Sequence, residues 1–224
     1  MRSDYRHEIK HSISFMDLIC IRQRMSALTS PDPHAKDGKY HIRSLYFDTP
    51  EDKALREKTD GVDRREKFRI RYYNDDTDFI KLEKKSKLNG LGTKDAAPLS
   101  KEGAQAIVDG DIDWMVEDPD PLVRELYTKM KTTLLRPKTI VDYTREPFTY
   151  PPGNVRVTLD YDIRTGLLCT DFLNREVPTI PVKESPIILE VKWDGFLPDI
   201  IRDAVQLNVR AGAYSKYAEC RRYD

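Results

Sequence analysis

The sequence predicts an α+β fold with a mainly antiparallel sheet. Several stretches rich in β-branched and aromatic residues alternate apolar and polar side chains, the period of two that is typical of strands. Many of these stretches follow one another directly, whereas parallel sheets need strands that alternate regularly with helices. The predicted strands cover residues 5–13, 41–48, 66–73, 78–86, 138–146, 154–163 and 187–193.

Helix signals fall between the predicted strands. Ser14 and Asp17 have the spacing of a capping box, which predicts that a helix begins there and covers 15–28. Thr49 followed by Pro50 predicts a second helix that ends near Gly61. The remaining predicted helices cover 100–110, 120–135, a region after residue 198, and a short stretch at 214–222.

Length and charge limit the class of protein. The chain has 224 residues, with 38 basic and 38 acidic side chains, so its net charge of zero implies no general attraction to nucleic acid. No apolar stretch approaches the ~18 residues of a membrane-spanning helix. Three widely separated cysteines favour a reducing compartment. We therefore expect a single domain over 1–224 in the cytoplasm, with the inner face of a membrane as an alternative location.

The stretch EKFRIRYY at 66–73 raises the question of function. Phe68 and Ile70 share one face of this strand, and Arg69 and Arg71 lie on the other, because successive strand side chains point in opposite directions. The same division into an apolar and a charged face recurs in most of the other predicted strands. Since the charged face adds nothing to an apolar core, we expect loss of Arg69 or Arg71 to leave the fold intact.

Two arrangements of these strands are open. In one, the sheet is flat, helices cover its apolar face, and the charges face solvent. In the other, the sheet closes into a barrel with helices outside and the charged face inside. Two cations 4 Å apart repel by ~4 kcal/mol at an effective dielectric near 20, so such an interior would need polyanionic contents. Phosphate chains fit arginine and lysine, and Mg²⁺ or Mn²⁺ fits the few carboxylates.

Eight short motifs carry a resemblance to a known family. In chain order they are RHEIK, SLYFD, FRIRYY, LEKKSK, DYTRE, VRVTLD, ILEVKW and AYSKY, from about residue 5 to residue 220. In this order they resemble the VTC domain of polyphosphate polymerases, within the triphosphate tunnel metalloenzymes that also include the CYTH phosphatases. The resemblance implies a closed antiparallel β-barrel tunnel of about eight strands with helices packed outside. It also implies transfer of the γ-phosphoryl group of ATP to inorganic polyphosphate, with Mn²⁺ or Mg²⁺ as cofactor.

The resemblance also implies roles for individual residues. The main group of phosphate-binding and catalytic residues is Lys10, Arg69, Arg71, Lys85, Arg145, Arg156 and Lys216. Further substrate contacts are Arg6, Lys87, Lys94, Tyr143, Lys192 and Ser215, with Gly90 and Gly92 in a turn that positions Lys94. Glu190 is the implied metal ligand. The regulatory domain and membrane helices of eukaryotic members have no counterpart here, so any membrane-protein partner would be a separate chain.

One departure from the hydrolytic branch bears on the reaction. CYTH phosphatases begin with Glu-x-Glu-x-Lys, whereas this chain has Arg6-x-Glu8-x-Lys10. A cation in place of a carboxylate favours holding a polyanion over activating water, which favours the polymerase. A metal-dependent triphosphatase is the alternative enzyme. A sensor that binds polyphosphate or nucleotide without turnover is the alternative from another class, but it would not need Glu190.

Overall fold

The computed structural model describes residues 6–32, 34–88, 91–207 and 210–223. Within these residues the strands are β1 (His7–Ile13), β2 (Ser30–Pro31), β3 (Tyr40–Asp48), β4 (Arg65–Tyr73), β5 (Asp76–Leu88), β6 (Leu91–Leu99), β7 (Arg136–Tyr150), β8 (Val155–Thr165), β9 (Ile180–Pro181) and β10 (Ile187–Trp193). The helices are α1 (Phe15–Leu28), α2 (Lys53–Thr59), α3 (Lys101–Asp109), α4 (Pro121–Thr132), α5 (Asp199–Ala204) and α6 (Lys216–Cys220).

The chain forms two compact units. The first unit contains Met1–His41, Tyr143–Ile163 and Lys183–Tyr214, and the second contains Ile42–Asp142, Arg164–Val182 and Ser215–Asp224. The boundaries fall inside β3, β7 and β8, so each of these strands contributes residues to both units.

The first unit is built on strands in the order β1-β10-β8-β7, with β2 paired to β7. β1 is antiparallel to β10 and places Lys10 opposite Glu190, and β10 is antiparallel to β8 and places Glu190 opposite Thr158. Cross-strand partners share a face, so these polar residues lie on one side of the sheet. The other side packs against α1 and α5 through a core that includes Ile21, Met25, Val157, Leu159, Val191 and Ile201.

The second unit contains strands in the order β7-β3-β4-β5-β6. β4 is antiparallel to both β3 and β5 and places Arg69 opposite Tyr46 on one side and opposite Glu83 on the other. The opposite side of the sheet packs against α3 and α4 through a core that includes Leu45, Phe68, Ile70, Leu82, Ile107 and Leu126. One face of this sheet is therefore apolar and covered by helices, and the other is polar.

The predicted fold class is confirmed: the chain is α+β, with about eight main antiparallel strands and helices on the apolar faces. The capping box of α1 is present, because the Ser14 hydroxyl accepts from the Asp17 backbone and the Asp17 carboxylate accepts from the Ser14 backbone. Asp120 caps α4, which has proline at its first helical position. In the part of the chain that the structure describes, no helix is long and apolar enough to cross a bilayer.

Three details of the prediction are wrong. α2 begins at Lys53 and not at Pro50, because the Asp48 carboxylate accepts from the backbone of Ala54 and Leu55. α4 ends at Thr132 instead of Leu135. Lys94 lies within strand β6 and not in a turn; the predicted turn at Gly90 lies outside the described residues.

Candidate functional site

The second unit carries a polar face on β3, β4, β5 and β6. It follows from strand alternation, since the intervening Leu45, Phe68, Ile70 and Leu82 belong to the apolar core. We call this set the second polar face: Ser44, Tyr46, Lys67, Arg69, Arg71, Glu83, Lys85, Lys87 and Lys94.

Glu83 lies at the centre of the second polar face and is only 1% exposed. Its Oε2 accepts from Nε of Arg69 at 2.7 Å, and its Oε1 lies 2.5 Å from Nζ of Lys94. Nη1 of Arg71 is 3.9 Å from Oε2. Burial raises the pKa of Glu83, but the three cations outweigh burial and hold this pKa well below its usual range. Glu83 is therefore ionised and acts as counterion for three bases.

Arg71 is only 3% exposed, and its Nε donates to the Ser44 hydroxyl at 2.9 Å. We expected that Arg69 and Arg71 could be removed without effect on the fold because their face would contribute nothing to the interior. This premise is wrong, since Arg71 is buried. Both arginines neutralise the buried carboxylate of Glu83, so their loss would leave this charge with fewer partners. We therefore expect replacement of either arginine to lower stability.

Tyr46 is a member of this face that the sequence interpretation missed. Its hydroxyl accepts from Nη1 of Arg69 at 2.7 Å, and its ring stacks on Tyr217 with centroids 5.1 Å apart. Nζ of Lys67 lies 5.7 Å from the ring centroid. Burial raises the pKa of Tyr46, but Arg69, Lys67 and Arg71 outweigh it and lower this pKa to about 7. The alternation of Ser44 and Tyr46 in SLYFD could have indicated this position.

The low pKa of Tyr46 makes stability depend on pH. An unfolded tyrosine has a pKa near 10, so between pH 7 and 10 the folded state binds fewer protons than the unfolded state. The contribution of Tyr46 to stability is therefore fully present above pH 10 and is lost as pH falls through about 7. We expect the difference in free energy of unfolding between the wild type and Tyr46→Phe to increase with pH in favour of the wild type. The increase is at most about 1.4 kcal/mol per pH unit between pH 7 and 10.

Urea denaturation of both proteins at pH 6.5, 8 and 9.5 measures this difference. Tyr72→Phe is the matched control, because Tyr72 is buried in the same unit but its pKa is raised, first of all by burial. Its difference from the wild type should stay constant over the same range. A constant difference for Tyr46→Phe as well would contradict the prediction.

The first unit carries a second group of polar residues, on β1, β7, β8 and β10. We call it the first polar face: Glu8, Lys10, Tyr143, Arg145, Arg156, Thr158, Asp160, Glu190 and Lys192. Lys10 bridges its two neighbouring carboxylates, with Nζ 2.6 Å from Glu8 and 3.2 Å from Glu190. Burial lowers the pKa of Lys10, but Glu190 and Glu8 outweigh it, so the pKa is raised and the ammonium is charged.

Glu190 is surrounded by three basic side chains and is 5% exposed. Its carboxylate is 3.2 Å from Lys10, 3.3 Å from Lys192 and 3.6 Å from Arg145. The described residues contain no group of three or more His, Cys, Asp or Glu side chains that could hold a metal ion. A single carboxylate such as that of Glu190 fits an Mg²⁺-type ion, which takes one or two carboxylates from the protein and most of its ligands from substrate phosphates and water.

Arg145 is held in place by the neighbouring strand. Its Nε and Nη2 donate to the two carboxylate oxygens of Asp160 at 2.6 and 2.7 Å, and its guanidinium lies 5.6 Å from the ring centroid of Tyr143. Burial lowers the pKa of Arg145, but Asp160 and other partners raise it well above its usual value. Asp160 therefore pairs with a base.

The other predicted residues have varied surroundings. Nε of Arg6 is 2.8 Å from Asp194. Lys85 lies opposite Lys67 and Lys94 in the sheet, and Lys87 lies opposite Arg65. Ser215 is the N-cap of α6, and Lys216 is the first residue of this helix. The described contacts thus gather Lys10, Arg145, Glu190 and Lys192 in the first unit, and Arg69, Arg71 and Lys94 around Glu83 in the second.

Sequence comparison identifies the family. The VTC domain matches residues 5–223, nearly the whole chain, and the chain belongs to the VTC domain family. The resemblance seen in the eight motifs is confirmed. Membership of this family supports an enzyme that acts on triphosphates and depends on a divalent metal ion. Among curated proteins, none matches the chain.

Solved structures that are similar to this chain include proteins from Bacillus halodurans and Pyrococcus horikoshii OT3. A proposed adenylate cyclase from Bacillus halodurans is 15% identical, with a TM-score of 0.49, and the match covers 84% of this chain and 79% of that chain. A protein from Pyrococcus horikoshii OT3 is 15% identical, with a TM-score of 0.45, and the match covers 90% of this chain and 84% of that chain.

Proposed function

We propose that this protein is a metal-dependent polyphosphate polymerase that transfers the γ-phosphoryl group of ATP to a growing inorganic polyphosphate chain. The observation that supports this most is the surplus of bases on the two polar faces. On the second polar face, Glu83 is already shared by Arg69, Arg71 and Lys94, and Lys67 and Lys85 lie beside them in register. Charged groups of one sign at this density favour a polyanionic ligand.

Phosphoryl transfer depends on positioning and on charge stabilisation, and both are within the chemistry of these residues. Arginine binds phosphate through two parallel N–H donors. We assign this role towards the triphosphate of ATP to Arg69 and Arg71 on the second polar face, and to Arg145 and Arg156 on the first. Lys216 adds a point charge to this group. The nucleophile is a terminal phosphate oxygen of the chain, which is already ionised, so no general base is needed.

A second group of residues would hold the polyphosphate chain. In this proposal Lys10, Lys85, Lys87 and Lys94 bind its phosphates, and Arg6, Tyr143, Lys192 and Ser215 add further contacts. The closed tunnel through which the chain would pass stays a prediction. So do the cytoplasmic location, a membrane-protein partner and the exclusion of nucleic acid as a ligand.

Glu190 is the residue that would hold Mg²⁺ or Mn²⁺, with substrate phosphates as its other ligands. When bound, the ion neutralises charge that develops on the transferred group. Glu190 itself contributes one carboxylate, and the adjacent Lys10 and Lys192 hold that carboxylate in place.

One observation favours a second candidate, a triphosphatase. Glu8 and Glu190 both contact Lys10 and Lys192, so two carboxylates lie close together on the first polar face. Paired carboxylates can orient a water molecule for hydrolysis. Against this, Arg6 stands where the hydrolytic branch has its first glutamate.

The branch can be tested by the products made from ATP. We expect purified protein with Mn²⁺ or Mg²⁺ to form long chains that are resolved on a gel, and pyrophosphate or short polyphosphate to shorten the lag by serving as primer. Arg6→Glu should raise the share of orthophosphate released. Orthophosphate as the sole product, with primer and each metal tried, would instead establish the triphosphatase. Binding of ATP without turnover would favour the sensor.

A further inference from the structure

Thr158 is a buried hydroxyl that none of the contacts described above explains. It lies in the middle of β8, directly opposite Glu190, and is 3% exposed. Its Oγ1 has no hydrogen-bond partner among the described residues. Nε of Arg156, two residues earlier on the same face, is likewise buried and unpartnered within the described part of the chain.

Such a pair is unfavourable unless something accepts its hydrogen bonds. A buried hydroxyl without a partner destabilises a protein, and valine has nearly the same shape without this penalty. Val157 and Leu159 pack in the apolar core on the other face of β8, so the Thr158 hydroxyl takes no part in that core. Guanidinium Nε is only a donor, and a hydroxyl can donate to the same acceptor.

We propose that Thr158 and Arg156 form a subsite for one phosphate group of a condensed phosphate, with the Thr158 hydroxyl and Arg156 Nε–H donating to its non-bridging oxygens. This inference rests on the proposed function, because it assumes that the first polar face binds condensed phosphate. It adds a neutral contact to a site otherwise made of charges. Lys192 lies opposite Arg156 in the sheet and supplies the nearby positive charge that an anion requires.

Thr158→Val tests the subsite, with binding of inorganic tripolyphosphate measured by calorimetry in EDTA and again with Mg²⁺. We expect a Kd that is roughly 10- to 100-fold weaker in both conditions, the value of one hydrogen bond to a charged group. Thr158→Ser keeps the hydroxyl and should bind within about three-fold of the wild type. The thermal unfolding midpoint of Thr158→Val should equal or exceed that of the wild type, because a merely structural hydroxyl would lower it on removal.

Thr144→Val is the matched control, since Thr144 is buried on β7 in the same unit, one residue from Arg145 and so on the opposite side of the strand. It should bind tripolyphosphate as the wild type does.

Equal affinity of Thr158→Val and the wild type would overturn the subsite, and so would weaker binding accompanied by a lower unfolding midpoint. Weaker binding confined to the Mg²⁺ condition would assign the hydroxyl to the metal and also overturn it. A wild type that binds tripolyphosphate in neither condition contradicts the proposed function itself.

Discussion

Glu83→Gln is expected to lower the free energy of unfolding by about 3–5 kcal/mol, the usual effect of removing one partner from a buried ion pair. The glutamine amide keeps the shape of the side chain but removes the charge that Arg69, Arg71 and Lys94 share. These cations would then lie within a few ångströms of one another around a neutral group. Urea denaturation at pH 7 measures the loss.

A polyanion should reverse much of this loss. If the second polar face binds condensed phosphate, tripolyphosphate replaces the missing negative charge and binds the folded state alone, which raises stability by mass action. We therefore expect saturating tripolyphosphate to stabilise Glu83→Gln more than it stabilises the wild type. Sulfate at equal ionic strength serves to separate specific binding from screening.

Glu66→Gln is the matched variant for this experiment. Glu66 lies on β4, three residues before Arg69, so its side chain points to the opposite side of the strand. There it contacts Lys129 of α4 and Lys84, so its loss also breaks ion pairs in the same unit. Its side chain is partly exposed, and we expect a smaller loss of stability and no extra rescue by tripolyphosphate. Equal rescue of both variants would contradict the role of the second polar face.

The pH dependence of the wild type should agree with this interpretation. The pKa of Glu83 is depressed in the folded state, so its contribution to stability is present above its unfolded pKa near 4.3 and is lost as pH falls towards the folded value. Glu83→Gln lacks this contribution at every pH. The difference in stability between the two proteins should therefore shrink as the solution is acidified below about pH 4.

The sequence was enough to predict which side chains share a face, because strand alternation is a local property. Arg69 and Arg71 share the predicted charged face, and the structure brings both into contact with Glu83. It was not enough to predict how deeply they are buried, which depends on neighbouring strands. The burial of Arg71 beside Ser44 comes from the pairing of β3 with β4, which joins residues 27 positions apart.

Positions set by long-range pairing were the ones that the sequence left open. The turn predicted around Gly92 and Lys94 is part of strand β6, because pairing with β5 overrides the weak strand preference of glycine. The lack of a partner for the Thr158 hydroxyl depends on β10, which lies beside β8, and so cannot be read from the sequence. Tyr46 is difficult to assign from the sequence, because a tyrosine in a strand usually belongs to the core.

Glu190→Gln should give the largest loss of activity. If Glu190 holds the catalytic ion, its charge contributes several kcal/mol of transition-state stabilisation through that ion, which corresponds to a fall in kcat of about 100- to 1,000-fold. Tripolyphosphate binding in EDTA should persist or become tighter, because the change removes a negative charge from beside Lys10, Lys192 and Arg145. Mn²⁺ binding in the presence of tripolyphosphate, followed by electron paramagnetic resonance, should weaken.

Glu146→Gln separates a loss of charge from a loss of metal. Glu146 is another buried carboxylate of the first unit, but it follows Arg145 on the opposite side of β7, where it accepts two hydrogen bonds from Arg22 of α1. Its replacement should destabilise the protein while kcat per folded molecule stays near that of the wild type. If the two variants lost equal activity, or if the wild type turned over ATP equally well in EDTA, Glu190 would be one more counterion among the bases of the first polar face. A metal ligand requires that Glu190→Gln alone loses kcat while its affinity for tripolyphosphate in EDTA is kept. A counterion that binds no metal would have no separate effect on kcat.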